Sequence, residues 1–400
     1  MNEKKAASQT PAPGSRRILF AGCLAHLTHD GLTDMLYVFF PVWQQLFSLN
    51  FSDVGLFKTL FSGSLAAFQM PAGALGNRFG LVRSLTAGTL LTCLALTAAS
   101  FTRFVPLFAV LLIVGGMGSS AQHPLASAAV SRAFGGASSR NALSTYNFVG
   151  DLGKLAFPAM AALIIARTDW ETAIRVMAAV GIASAVLVAA MLAGQAQAAP
   201  SLSSGQAATA RLGFAMTKAF GALTAIGVLD SATRMGFLTF LPFVLKDKGA
   251  DMSVIGLALA LLFAGGAAGK LVCGLLAFRA GVLRSVILTE AATAAGICAM
   301  VYAPLAAALV LCPFLGVALN GTSSVLYGSV PELVEDGGRD AAFAFFYTGA
   351  IGAGALSPFL YGLLGDVLGV DRAMVATALL VLAAAPLTWP LRGRLVSRKK

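Results

Sequence analysis

The chain is written almost entirely in apolar runs long enough to cross a bilayer. Of its 400 residues, 58% are hydrophobic and only 11% charged, with a mean hydropathy of +0.81. A soluble domain is nearer 45–50% apolar and about 25% charged, so lipid is the expected solvent. A crossing helix needs about 20 apolar residues. Twelve such runs fit, over 17–46, 53–77, 82–101, 104–131, 141–166, 171–193, 212–245, 252–278, 283–301, 304–330, 340–365 and 372–391. The 43 glycines suit close helix packing in a membrane. The five cysteines lie inside apolar runs without a Cys-x-x-Cys pair, so they read as packing residues with no disulfide framework.

The expected fold class is therefore an all-α membrane protein of twelve transmembrane helices. Residues 194–211 are the longest polar interruption and divide the chain into six-span halves, 16–193 and 212–392. Residues 1–15 read as a disordered polar tail and 393–400 as a basic tail. The net charge of +11 is sorted by loop and does not form a nucleic-acid surface. With both termini placed on one side, 18 Lys and Arg fall there and seven on the other. Those seven are Lys58, Arg103, Arg167, Arg175, Lys246, Lys248 and Arg372. This bias puts both termini in the cytoplasm.

Against this apolar background, ionisable residues inside the runs demand explanation, because a charge at mid-bilayer costs about 2.5–3.5 kcal/mol on insertion scales. His26, Asp30 and Asp34 recur at i, i+4 and i+8, so one helix face can carry all three. His29 lies about 100° around the same helix. His123 precedes Pro124, where a helix kinks. Asp151 and Lys154, and again Asp230 and Arg234, are spaced to pair within a helix. Lys270 and Glu290 are lone charges within their runs. Imidazole titrates near neutrality, so His26, Asp30, His123 and Asp151 are expected proton-coupling residues. His29, Asp34, Lys154, Asp230, Arg234 and Lys270 are expected to face a substrate, Arg234 with a forked donor suited to a carboxylate or phosphonate.

The two halves repeat one another. Pro41 and Pro242, Gly55 and Gly256, Gly73 and Gly274, Arg78 and Arg279, Gly80 and Gly281, and Arg83 and Arg284 are all separated by 201 positions. A duplicated six-helix unit is the design of transporters that rock two halves about a central site. At the places matching Asp151 and Lys154, the second half has Ala350 and Ala353, which suggests a role confined to one half.

The stretch Gly73-Ala74-Leu75-Gly76-Asn77-Arg78-Phe79-Gly80-Leu81-Val82-Arg83 resembles the loop signature between spans 2 and 3 of the major facilitator superfamily. Arg279-Ala280-Gly281-Val282-Leu283-Arg284 resembles its degenerate copy. Asn77 stands where that family usually has Asp. His26-Leu27-Thr28-His29-Asp30, Leu49 to Gly55 and Gly118 to Pro124 are similar to the fosmidomycin-resistance branch of drug exporters. The resemblance implies two pseudo-symmetric six-helix bundles whose spans 1, 4, 7 and 10 line a central cavity, which adds Tyr327 of span 10 to the substrate residues. Arg78, Arg83, Arg279 and Arg284 are expected to gate and orient, with Glu332 pairing with the last two when the inner side closes.

These readings converge on a secondary transporter. It would be a proton antiporter exporting a small amphipathic or anionic compound by alternating access, and functional as a monomer. The same residues would serve a proton-coupled importer of an organic anion. Three histidines could also carry a transition metal as cargo, although no Met or Cys cluster supports copper. No phosphate loop is present, so no cofactor is expected and ATP does not drive the process from this chain. An enzyme would leave the duplicated halves unexplained.

Overall fold

The computed structural model describes residues 14–134, 136–194, 216–334 and 338–395. Most of the expected tails and linker, and the acids Glu335 and Asp336, lie outside these residues. The helices are α1 (Ser15–Asp34), α2 (Leu36–Phe47), α3 (Phe51–Phe79), α4 (Leu81–Ala99), α5 (Val105–Ser119), α6 (Gln122–Ala133), α7 (Gly136–Arg167) and α8 (Trp170–Leu192). They continue with α9 (Lys218–Asp247), α10 (Met252–Ala280), α11 (Val282–Tyr302), α12 (Leu305–Ser329), α13 (Arg339–Leu368), α14 (Val370–Val381) and α15 (Ala384–Leu387). Ser15 already belongs to α1, so the helix starts inside the segment expected to be a tail.

Ten segments among the described residues are long and apolar enough to cross a membrane, from Leu81–Ala99 to Val370–Leu391. The α1–α2 pair and α3 have comparable length but are too polar to qualify. The first holds His26, His29, Asp30 and Asp34; the second holds Asp53, Lys58, Gln69, Asn77 and Arg78. Part of this polarity is buried, since Asp30 is 4% and Lys58 only 2% exposed, while Asn77 and Arg78 are exposed at the end of α3.

The duplication is visible in the backbone. Helices α3 and α10 both run for 29 residues. Each begins at an extended cap, Asn50 (φ −76°, ψ 170°) and Asp251 (φ −77°, ψ 175°). Short polar side chains there satisfy amides that the first helical turn leaves unpaired. Each ends at a glycine, Gly80 (φ +88°) and Gly281 (φ +86°). A side chain is strained at such φ, which is why glycine stands at both places.

The two halves meet where small residues let backbones approach. Helix α3 packs on α13, and α7 on α10. A Cβ at Gly55 would collide with the Pro358 carbonyl, and one at Gly256 with Ala162. At the same end the Asp366 carboxylate of α13 accepts from the backbone N–H groups of Phe51 (2.7 Å) and Ser52 (3.2 Å) at the start of α3. Phe51 also meets Phe240 and Phe243 of α9, ring centroids 6.1 and 5.5 Å apart. Behind this seal Trp43 of α2 packs edge-on to Phe108 and Trp170. The halves are thus tied at the Phe51 end.

Candidate functional site

Helix α1 lies against α7, α8 and α6. Its approach to α7 requires Gly150 and Gly153. A Cβ at Gly150 would sit 2.6 Å from the His26 ring, and one at Gly153 would overlap the Leu27 carbonyl. The ring of His26 stacks on Tyr146 with centroids 4.1 Å apart. Its Nδ1 faces the Tyr146 carbonyl at 3.0 Å and its Nε2 faces Asp30 Oδ2 at 3.2 Å. Both ring nitrogens therefore look at oxygen acceptors. A neutral imidazole has a single N–H, so the pair is satisfied only when a second proton lies between Nε2 and the carboxylate.

Asp30 gathers three further groups. His29 Nε2 and His123 Nε2 each lie 3.9 Å from Oδ1, and the Lys154 ammonium lies 3.3 Å from Oδ2. His123 reaches the cluster because the fourth apolar run breaks between α5 and α6. Pro124 has no N–H to continue the helical ladder. The freed backbone turns at Ser120 and Ala121, and the His123 side chain remains 45% exposed. Its ring meets those of His26 and His29 edge-on, at 5.2 and 4.7 Å. His26, Asp30 and His123 bring ligand atoms within 4.8 Å of one another, the spacing of a metal site. Lys154 on the same carboxylate oxygen disfavours a second cation there.

The charges continue from α1 into the second half. Lys154 also lies 3.8 Å from Asp151 Oδ1 on its own helix. Asp151 Oδ2 accepts from Lys270 of α10 at 2.5 Å. Asp30, Lys154, Asp151 and Lys270 form one alternating row across the interface between the halves. The Asp151–Lys154 spacing thus forms the expected in-helix contact, but each partner has a closer one elsewhere.

A cavity of about 250 Å³ lies beside this row. Its wall includes His29, Asp30, Asp34, His123 and Lys154 from the first half and Arg234 from the second. Asp34 is part of the cavity wall and not a rim group, with Lys154, Lys58 and Arg234 as electrostatic neighbours. Lys58 also lines the cavity, its ammonium 4.4 Å above the Tyr37 ring. Placing Lys58 among the outer loop charges is corrected here. It sits two turns inside α3, buried, and a lone lysine at that depth was the available signal. Tyr37, Gln69, Asn320 and Tyr347 also line the cavity. No periodic or charge signal singled them out.

Three expectations for the second half change. Asp230 and Arg234 form no ion pair within 4 Å, because Arg234 faces the cavity while Asp230 is buried at 5% exposure away from it. Tyr327 is half-exposed and meets the rings of Phe343 and Phe346 at a tilt and that of Tyr347 edge-on, without joining the cavity wall. Lys270 reaches Asp151 and not the cavity. Arg78, Arg83, Arg279 and Arg284 stand at the glycine breaks that end α3 and α10, and Glu332 lies in the single 3₁₀ turn after α12.

Comparison with known proteins agrees with this architecture. Residues 22–229 and 223–400 each match the Major Facilitator Superfamily. Over 165 residues the chain is 33% identical to the fosmidomycin resistance protein of Escherichia coli (strain K12), a stretch covering 40% of this chain and 39% of that protein. The fold is similar to a bacterial homologue of the human lysosomal transporter Spinster in an inward-facing, unoccupied conformation. The TM-score is 0.79 at 15% identity, covering 98% of this chain and 100% of that one. It is also similar to a D-xylose–proton symporter, with a TM-score of 0.75 at 18% identity and coverage of 94% and 97%. With matches that span both halves, the chain belongs to the Major Facilitator Superfamily and is a multi-pass membrane transporter, not an enzyme.

Proposed function

We propose that the chain is a proton-coupled exporter of a small amphipathic or anionic compound, working by alternating access. Twelve crossings in two six-helix bundles, 16–193 and 212–392, would carry it, with both termini in the cytoplasm of a cell membrane. The observation that carries the reading is Asp30 held by His26, His29, His123 and Lys154 on the wall of the central cavity. A proton on Asp30 removes the charge that holds Lys154. Lys154 then competes with Lys270 for Asp151, which loosens a tie between the halves. Proton binding and rocking are linked through that row. The substrate would lie against Lys58 and Arg234, neither of which has a carboxylate within 4 Å among the described residues. Export is favoured by the similarity to a resistance protein. The tie at the Phe51 end corresponds, in this orientation, to a cavity sealed from the outside. A monomer contains the whole site, and no nucleic acid is involved.

One observation favours a second reading. Lys154 is shared between Asp30 and any anion that enters, so protonating Asp30 frees it for the anion. That promotes joint binding and proton-driven import. Flux measured in proteoliposomes with a panel of small anions and amphipaths decides between them. Export predicts uptake into inverted vesicles driven by an acidic lumen, and import predicts the opposite gradient. Asp30→Asn should remove the proton coupled at this site and lower the proton-to-substrate ratio in either case, while leaving equilibrium exchange of substrate. A ratio unchanged in Asp30→Asn would overturn the coupling role. Metal accumulation by wild type alone would point to metal cargo.

A further inference from the structure

The second half holds a carboxylate pair that the cavity mechanism does not use. Glu290 of α11 is 2% exposed and Asp230 of α9 is 5% exposed. Among the described residues neither has a cation within 4 Å, and both Glu290 oxygens lack any hydrogen-bond partner, as does Thr293 Oγ1 one turn further along α11. The groups that act on Glu290 electrostatically are Asp230 and Arg234 of α9 and, from α10, the Cys273 thiol. Arg234 turns its guanidinium to the cavity and leaves its Nε unpartnered.

An ionised carboxylate with no donor in an apolar interior is far costlier than a neutral one. A second ionised carboxylate acting on it from α9 adds like-charge repulsion at low dielectric. One proton on Glu290 removes both penalties and supplies an O–H to donate. No other bond changes.

The internal repeat gives the pair a meaning. Asp230 and Glu290 stand 201 positions after His29 and Thr89, and those two line one small hollow in the first half. The same interior position thus carries a titratable imidazole beside a hydroxyl in one half, and two carboxyls in the other. His29 belongs to the Asp30 cluster.

We propose that Glu290, with Asp230, forms a second proton-binding site at the place in the second half equivalent to His29, so that each half of the transporter carries a proton. Its part in the cycle rests on the proton-coupled reading above, but the site itself can be tested without transport. The full-length protein in detergent at neutral pH should show the infrared carbonyl band of a neutral carboxylic acid, displaced in D₂O. The band should vanish in Glu290→Gln, shift in Asp230→Asn and persist in Asp30→Asn. A wild type without the band, or a band untouched by both Glu290→Gln and Asp230→Asn, overturns the proposal. So does a band that sodium chloride removes and choline chloride restores, which would make the pair a sodium site. Glu290→Asp, which keeps the carboxyl, should retain a displaced band and guards against misfolding of the glutamine variant. In proteoliposomes the proton-to-substrate ratio, read from reversal potentials, should fall by one in Glu290→Gln. An unchanged ratio in Glu290→Gln overturns the role in the cycle, whereas an unchanged ratio in Asp30→Asn would sink only the first-half site.

Discussion

Removing the Asp366 carboxylate should shift the balance between the two faces of the transporter. Its two oxygens accept from the Phe51 and Ser52 amides, at 2.7 and 3.2 Å, across the interface between the halves. Hydrogen bonds to a charged group contribute about 1.5–3 kcal/mol each when sheltered. Asp366 is exposed, so each is discounted to about 0.5–1 kcal/mol. An anion at a helix N-terminus adds about 0.3–1 kcal/mol. The sum is about 1.3–3 kcal/mol, or roughly 10- to 150-fold in the open-to-closed ratio at that end. The assay uses a single cysteine in place of Leu238, which lines the cavity, in a background lacking the five native cysteines. A membrane-impermeant thiol reagent is applied from the Phe51 side. While the sealed state dominates, the labelling rate follows the open fraction. Asp366→Ala should raise it roughly 10- to 150-fold, and Asp366→Asn, which keeps one acceptor, by less. Rates within twofold of wild type in a monodisperse Asp366→Ala protein would refute the latch.

Other consequences follow from the charges and the repeat. Asp151→Asn leaves Lys270 without its partner and Lys270→Gln leaves a buried carboxylate. Each should slow gradient-driven flux by at least about tenfold, and the double variant should recover part of it; strictly additive losses would show the two are not coupled. Lys58→Met should raise the KM for an anionic substrate by about tenfold or more, the loss expected for one desolvated charge contact; an unchanged KM would move the anion site elsewhere. Gly80→Ala and Gly281→Ala should each cost about 1–3 kcal/mol, because their positive-φ, extended-ψ backbone is essentially glycine-only, read as similar losses in thermal midpoint. Unequal losses would mean the two breaks are not equivalent.

The helical class, the run lengths and the duplication were legible in the residues because they depend on local rules. Length and apolarity set a crossing, and a glycine at a left-handed break shows itself twice at the same spacing, as Gly80 and Gly281 do. The His26–Asp30 pair was legible too, since i and i+4 neighbours on a helix must meet. The same rule misled at Asp230 and Arg234, where packing against α11 and the cavity drew the two side chains apart. Lys58 was hidden because depth in a bundle is not written in a one-dimensional charge count. What tertiary structure alone decided was which charges from different helices share a site. Asp30 meets Lys154 and His123, and Asp151 meets Lys270, across separations of 93 to 124 residues. No periodicity spans such distances. They are set by small residues that let α1, α7 and α10 close to backbone contact, and by the low dielectric that favours pairing among the charges brought together there.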